Sequence, residues 1–530
     1  MLQKRLESIP SKVLRKIVRG IEKESLRIDN NGSLSKNKHP ISLGSALTPP
    51  HITTDFSESQ LELITETHES VEDCFHQLSE IHKVTIENID DELLWCASMP
   101  CVLPKDELIP IGEYGISNVG RAKTIYRIGL GNRYGKRMQT ISGIHYNFSL
   151  PAEAWHYLSE IENNKGSIQD YKDKAYFGLI RNFQRHSWLL LYLFGASPAV
   201  SEDFVQDRVH RLQKLSPGVL YMPYATSLRM GPLGYQSDVQ SSLSVSYNSL
   251  SSYANSLERA LSESYPPYSA IGLKKDTEYL QLSTSLLQIE NEFYSTIRPK
   301  RRIKPGERSL HALSDRGVEY VEVRAIDLNP FVSTGIDKDS IRILDIFLLH
   351  CLLKNSPLDS AQEIARFNHN QNLVAQYGRD PSLRLGNENK MLSVKEWGEM
   401  LLEEWKPIAN ALDIAHKGND YSKSLTMAFE LLQDPSLTKS AKILDEMRIN
   451  HRKSFQDFAL SKSEEHRSQT KQFPMTNHRE DHFKALAKDS LQAQKELEEK
   501  ENISFESYRK KYIEQAELTK NGSNGTSKKQ

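Results

Sequence analysis

Carboxylates at strand spacing are the chemistry-bearing feature of this 530-residue chain. In Gly20-Ile-Glu-Lys-Glu-Ser-Leu-Arg27, Glu22 and Glu24 lie two residues apart. On a β-strand both would leave the same face, and Lys23 the other. Asp55 ends the run His51-Ile-Thr-Thr-Asp55, and Glu62 sits inside Gln60-Leu-Glu-Leu-Ile-Thr65. His145 and Asn147 share one face of Gly143-Ile-His-Tyr-Asn-Phe148, as Glu322 and Arg324 do in Glu319-Tyr-Val-Glu-Val-Arg324. Any one of these carboxylates alone reads as a solvent-facing side chain on a half-exposed strand. Several delivered together would be hard oxygen donors suited to Mg2+, which leaves coordination positions for phosphate and water. Spacing alone does not bring the strands together.

Other motifs fail on inspection. Gly115-Ile-Ser-Asn-Val-Gly120 has the glycine spacing of a phosphate loop, but Arg121 and Ala122 follow where Lys and Ser/Thr are required. No nucleophile elbow and no H-E-x-x-H is present. The basic run Arg298 to Arg308 reads as a solvated loop, with phosphate contact the lesser alternative. Cys74, Cys96, Cys101 and Cys351 are too few and too irregular for a disulfide framework or a zinc site, and read as reduced packing residues.

The elements that must carry these residues alternate without a regular βαβ rhythm. Strand-like segments are Gly20–Ile28, Ile52–Phe56, Gln60–Thr65, Thr140–Leu150, Leu286–Glu290 and Val318–Ile326. Helical periodicity marks Ser70–Ile89, Tyr176–Phe194 and Ile343–Leu353. This pattern predicts an α+β fold with a largely antiparallel sheet.

Composition narrows the class. Sixty-eight Lys and Arg against 69 Asp and Glu leave a net charge of −1, which argues against a nucleic-acid binder. No apolar run reaches the roughly 20 residues a bilayer needs, and the N-terminus lacks a signal-peptide core, so a cytoplasmic protein with no membrane partner is expected. From Ser461 to Gln530, 26 of 70 residues are charged against 26% overall, with a thin stripe of Phe483, Leu486, Leu491 and Leu497. We expect a catalytic unit over 1–450 and a polar, solvated helical appendage over 451–530, its last ten residues, NGSNGTSKKQ, disordered.

Ordered blocks from Arg19 to Phe331 carry a resemblance. They include Arg19–Arg27, Leu43–Thr48, Ile52–Phe56, Asn132–Gly135, Gln139–Pro151, Phe194–Pro198, Tyr224–Arg229, Gln288–Glu292, Ile297–Arg301, Glu319–Arg324 and Asn329–Phe331. In these the chain resembles the proteobacterial type of glutamate–cysteine ligase, which makes γ-glutamylcysteine for glutathione synthesis. Beyond about Asn450 the likeness is weak. The resemblance implies a fold related to glutamine synthetase, in which a curved antiparallel sheet forms an active-site funnel surrounded by helices. It implies Glu22, Glu24, Asp55, Glu62, His145 and Glu322 as ligands of two or three Mg2+ ions, with Mn2+ able to substitute. Arg324 would meet the transferring phosphate, with Arg127 a second candidate for the same charge. Tyr126, Arg229, Tyr235, Tyr294 and Arg298 would form the cysteine pocket, lined by Phe56, Leu130 and Gln139. The implied reaction joins L-glutamate to L-cysteine with ATP through a γ-glutamyl phosphate, in a monomer. A metallohydrolase using the same carboxylates, or a non-catalytic nucleotide- or amino-acid-binding regulator, are the alternatives.

Overall fold

One antiparallel sheet organises the molecule, and its strands form where apolar and polar residues alternate with period two. The computed structural model describes residues 1–206, 208–234, 239, 243, 245–388 and 390–515. The strands are β1 (Val18–Ile28), β2 (Ile52–Thr54), β3 (Gln60–Ile64), β4 (Leu93–Leu94), β5 (Ile144–Ser149), β6 (Ile297–Lys300) and β7 (Tyr320–Ile326). They lie in the order β6-β7-β5-β1-β3-β2, with β4 paired to the end of β1. Every pairing is antiparallel, as the α+β reading requires. On the back face Ile21, Leu61, Leu63, Ile144, Tyr146, Phe148, Val321 and Val323 are buried. The residues between them face the other way.

Helices pack around the sheet. Those that matter here are α1 (Val71–Glu87), α2 (Asn118–Tyr134), α3 (Ile168–His186), α4 (Trp188–Phe194), α5 (Lys338–Leu353), α6 (Val394–His416), α7 (Asp420–Gln433), α8 (Phe455–Lys471), α9 (Asn477–Glu499) and α10 (Phe505–Glu514). Every residue of α5 from Ser340 to Leu353 is buried, so it is the central helix of the core. A buried ion pair ties it to the sheet. Arg19 of β1 lies 3.1 Å from Asp345, whose carboxylate also accepts from the hydroxyls of Tyr146 (2.6 Å) and Tyr421 (3.1 Å). Each charge there is compensated within the protein, the condition for burying one. All four cysteines are free and buried. Among the described residues no helix is long and apolar enough to cross a membrane.

Two expectations are corrected. Leu286–Glu290 is not a strand: the Gln288 side chain accepts from the Leu282 N–H, and the Gln288 N–H donates to Glu292, so side chains satisfy the backbone that a ladder would otherwise pair. The helix expected over Tyr176–Phe194 starts at Ile168 and divides at Ser187, whose hydroxyl engages Gln371. The C-terminal helices are largely solvent-exposed, and a small number of their residues anchor them to the body. Phe455, Phe458 and Ala459 of α8 enter a core cluster with Leu26 and Trp95. On α9, Arg479 pairs with Glu80 at 2.6 Å and Phe483 packs with Leu43 and Ile52. The Thr48 hydroxyl donates to the Ser490 carbonyl at 2.6 Å. The polar anchors among these are not revealed by periodicity. The last ten residues lie outside the described residues.

Lys23 leaves the back face of β1, opposite to Glu22 and Glu24, and is buried. Its Nζ lies 2.6 Å from Nε2 of His82, whose Nδ1 donates to the Leu78 carbonyl, so Nε2 is the acceptor. Burial pulls the Lys23 pKa from 10.5 down to about 7. Between those values the unfolded chain holds a proton that the folded chain has released, so stability rises with pH across that window. Lys23→Met should therefore raise the melting temperature at neutral pH and flatten its rise toward alkaline pH. Calorimetry at several pH values checks this; an unchanged slope would show that Lys23 keeps its proton when buried.

Candidate active site

The front face of the sheet floors a cavity of about 390 Å3. Alternation along each strand delivers its contents: Glu22 from β1, Glu62 from β3, His145 from β5, Arg298 and Lys300 from β6, and Glu322 and Arg324 from β7. Asp55 comes from the turn after β2, and Lys123, Tyr126, Arg127 and Leu130 from α2. Register sets the neighbours. Glu22 is opposite His145, Glu24 opposite Glu62, and Glu322 opposite both Asn147 and Arg298. His145 Nδ1 lies 3.0 Å from Glu22 and Nε2 3.3 Å from Glu24, while the Asn147 amide donates to Glu22 at 2.9 Å.

The charges divide into two groups. At one end carboxylates crowd together. Burial, then the charges of Glu22, Asp55 and Glu24, hold Glu62 well above its ordinary 4.5, and burial with Asp55 raises Glu24. At the other end cations prevail. Burial pushes Glu322 up, but Lys300 at 2.6 Å and Arg324 at 2.8 Å outweigh it and hold its carboxyl well below the usual range. For Glu22 the His145 hydrogen bond similarly overcomes burial. Partial burial, with Arg127 nearby, pulls Lys123 down to about 8.

The acidic end fits a divalent cation. Glu22, Glu62 and His145 each offer a donor atom within 4.8 Å of the others, and His145 Nε2 is buried without a hydrogen bond. Two carboxylate oxygens and an imidazole suit Mg2+ or Mn2+. Glu24 and Asp55 adjoin this set, Glu24 accepting from the Gly143 N–H at 2.8 Å. Glu322 is held by its two cations instead.

The residues expected to bind cysteine separate in space. Phe56, Tyr126, Leu130, Gln139, Tyr294 and Arg298 line the same cavity, with the Gln139 amide donating to the Tyr294 hydroxyl at 2.9 Å. Arg229 does not line it: its guanidinium lies behind, against Gly143, where any Cβ would collide with it. From there it donates to the Arg324 carbonyl at 3.0 Å. Arg127 lines the cavity, donates to the Asp55 carbonyl and lies 4.4 Å over the Tyr114 ring. Tyr235 lies outside the described residues. Lys300 was missed, although Arg298-Pro-Lys300 has the spacing that puts both cations on one strand face. Lys123 was missed because a lysine on a helix gives no signal of its own.

The glutamate–cysteine ligase family matches over residues 3–374. The glutamate–cysteine ligase of Saccharophagus degradans is 47% identical over 509 residues, covering 96% of each chain. That of Pseudomonas fluorescens is 46% identical over 93% of each. This chain belongs to the glutamate–cysteine ligase family. The crystal structure of glutamate–cysteine ligase from Francisella tularensis in complex with AMP superimposes with a TM-score of 0.89 at 36% identity, over 96% of this chain and 98% of that one. A bifunctional glutathione synthetase from Pasteurella multocida aligns with 88% of this chain at a TM-score of 0.69 and 26% identity. The family match covers every strand of the sheet, and the 96% alignment also takes in most of the segment after residue 450.

Glu62 supplies a test of the acidic end in this family member. Because its pKa is raised above 4.5, the folded chain holds a proton that the unfolded carboxyl releases. Metal-free stability should then fall as pH rises above that value. Mg2+ at roughly 100-fold excess over its Kd at pH 8 should raise the melting temperature there by about 2 °C, and the same concentration should raise it less at pH 6. Glu62→Gln should shrink the Mg2+ shift and flatten the pH dependence, read by thermal denaturation with and without metal. A melting temperature indifferent to Mg2+ would exclude a preformed cation site.

Proposed function

We propose that this chain catalyses ATP-dependent joining of the γ-carboxylate of L-glutamate to the amine of L-cysteine, through a γ-glutamyl phosphate, as the first step of glutathione synthesis. The observation that carries the reading is one cavity holding a cation-fitting carboxylate end, a cluster of fixed positive charges and an aromatic, largely uncharged recess. A hydrolase needs no such second recess, and a regulator no intact donor set.

The chemistry explains the arrangement. A carboxylate becomes an electrophile by phosphorylation, yet triphosphate and carboxylate repel by about 4 kcal/mol per unit-charge pair at 4 Å and an effective dielectric of 20. Mg2+ held by Glu22, Glu62 and His145, with Glu24, Asp55 and Glu322 adjoining, would screen that repulsion and polarise the phosphoryl oxygens. Arg324 and Lys300 project from neighbouring strands beside it, both at hydrogen-bond distance from Glu322, which fixes their direction. An incoming phosphoryl group would compete with Glu322 for them and take up the bidentate guanidinium of Arg324. Arg229 is a positioning group, holding the β7 backbone at Arg324. Phe56, Tyr126, Leu130, Gln139 and Tyr294 would receive cysteine and exclude water from the acyl phosphate, which water would otherwise hydrolyse.

Incubation with ATP, Mg2+, glutamate and cysteine should yield ADP and γ-glutamylcysteine in equal amounts. Arg324→Lys should lower kcat about 10²-fold, because one ammonium cannot reproduce the bidentate contact. A sulfoximine analogue of the γ-glutamyl–cysteine adduct should bind about 10²-fold tighter than substrate. Its inhibition should be slow and require ATP, and Arg324→Lys should weaken that requirement. Rapid inhibition indifferent to ATP would rule out the acyl phosphate.

A further inference from the structure

The helix α2 is intrinsically weak for the place it occupies. One stripe of it, Val119, Ala122, Lys123, Tyr126, Arg127 and Leu130, lines the cavity, the spacing that one face of a helix gives. Its own sequence does little to hold that stripe in place. Gly120, Gly129 and Gly131 lower its helix propensity. Its first turn contains no acidic residue, and Arg121 puts a positive charge where the helix dipole disfavours one. The missing carboxylates come from the C-terminal arm. Glu501 accepts from the Asn118 N–H at 2.8 Å and from the Asn118 side-chain amide, which also donates to the Ile503 carbonyl at 3.0 Å. Glu498 accepts from the Ile116 N–H at 3.0 Å, just before the helix. We propose that Glu501 is a positioning residue that caps α2 from the arm and so holds Tyr126 and Arg127 at the cavity, an assignment that rests on the ligation proposed above.

Packing makes α2 depend on that cap. Its second half is seated in a large core through Leu130. Its first half rests on a small separate cluster, in which Ala122 and Ile125 meet Leu282 and Phe505, the first residue of α10. Arg121 also lies 4.5 Å over the Phe505 ring. The end of α2 that carries Lys123 and Tyr126 is therefore held in good part by the arm. The arm is in turn fixed to the body. Gln494 donates to Glu498 at 3.0 Å and accepts from the Ser45 hydroxyl at 2.5 Å. Gly115, at φ +80°, lets the chain before α2 come so close that an added Cβ would displace both Gln494 and Glu498. A carboxylate brought to an unpaired N–H of the first turn does from outside what an acidic residue within α2 would otherwise do.

The test uses the full-length chain with Glu501→Ala, Glu501→Gln and Glu499→Ala. Glu499 pairs with Lys495 at 3.8 Å on α9, so its loss removes the same charge two residues away. Initial rates are measured with cysteine varied, well below each variant's melting temperature, together with the melting shift that Mg2+ produces. Glu501→Ala should raise the cysteine KM about fivefold, the scale of a lost helix cap. Glu501→Gln keeps an acceptor for the Asn118 N–H and should fall between it and wild type, while Glu499→Ala should match wild type. The Mg2+ shift should be the same in all three, because Glu22, Glu62 and His145 lie on strands. A lower melting temperature with a wild-type cysteine KM in Glu501→Ala would make the cap structural only and overturn the assignment. An equal rise in Glu499→Ala, or loss of the Mg2+ shift along with the rise, would overturn it too. If Glu501→Ala does not fold, Glu501→Gln decides, and a wild-type cysteine KM there overturns the assignment. All these results leave the ligation standing. Wild-type chain that makes no γ-glutamylcysteine from ATP, glutamate and cysteine would defeat the reaction proposal, and this assignment with it.

Discussion

Repulsion between carboxylates facing one another across antiparallel strands is the constraint around which this molecule is built. Strand alternation puts Glu22 and Glu24 on one face, and register then sets Glu24 directly opposite Glu62. Like charges in that relation destabilise a sheet, and burial removes the water that would screen them. The protein answers locally with His145 between Glu22 and Glu24, and at the other end of the face with Lys300 and Arg324 on Glu322. It answers globally with the back face, where apolar residues from the same strands pack on α5, and Arg19 and Asp345 lock sheet to helix. The strain on the front is tolerable because the back is so thoroughly packed.

That division explains what could be read from the sequence. Period-two spacing reveals which side chains share a strand face, so Glu22 with Glu24, His145 with Asn147 and Glu322 with Arg324 were legible as pairs, and so was the α+β class. Convergence of the strands was not legible from spacing, because register depends on contacts between segments as distant as Glu22 and His145; the family resemblance supplied it. The same spacing rule misled at Leu286–Glu290, where the side chains of Gln288 and Glu292 take over the backbone hydrogen bonds. Arg229 has the residue type of a carboxylate binder, but its position behind Gly143 depends on a missing Cβ on another segment.

The attachments of the C-terminal arm were the least legible part of the chain. Its charge content resembles that of a solvated helix, yet its polar residues are specific anchors: Arg479 on Glu80, Ser490 on Thr48, and Glu501 on the Asn118 amide at the start of α2. A hydrophobic stripe can be counted in a sequence. A hydrogen bond to a segment several hundred residues away cannot. The arm therefore links the first strands of the sheet, the start of α2 and the cavity rim in one continuous path.

The four buried cysteines have a meaning specific to an enzyme of this family. A protein handling a free thiol works amid thiol–disulfide exchange, where any accessible thiolate of its own would be captured as a mixed disulfide. Burial pushes the Cys74 thiol up to about 11 and Cys96 up to about 12, so neither ionises under physiological conditions, and both are shut away from solvent. Burial thereby shields these thiols from cystine and oxidised thiols. Swings in the cell's redox balance would reach it through the supply of reduced cysteine and leave its own covalent structure untouched.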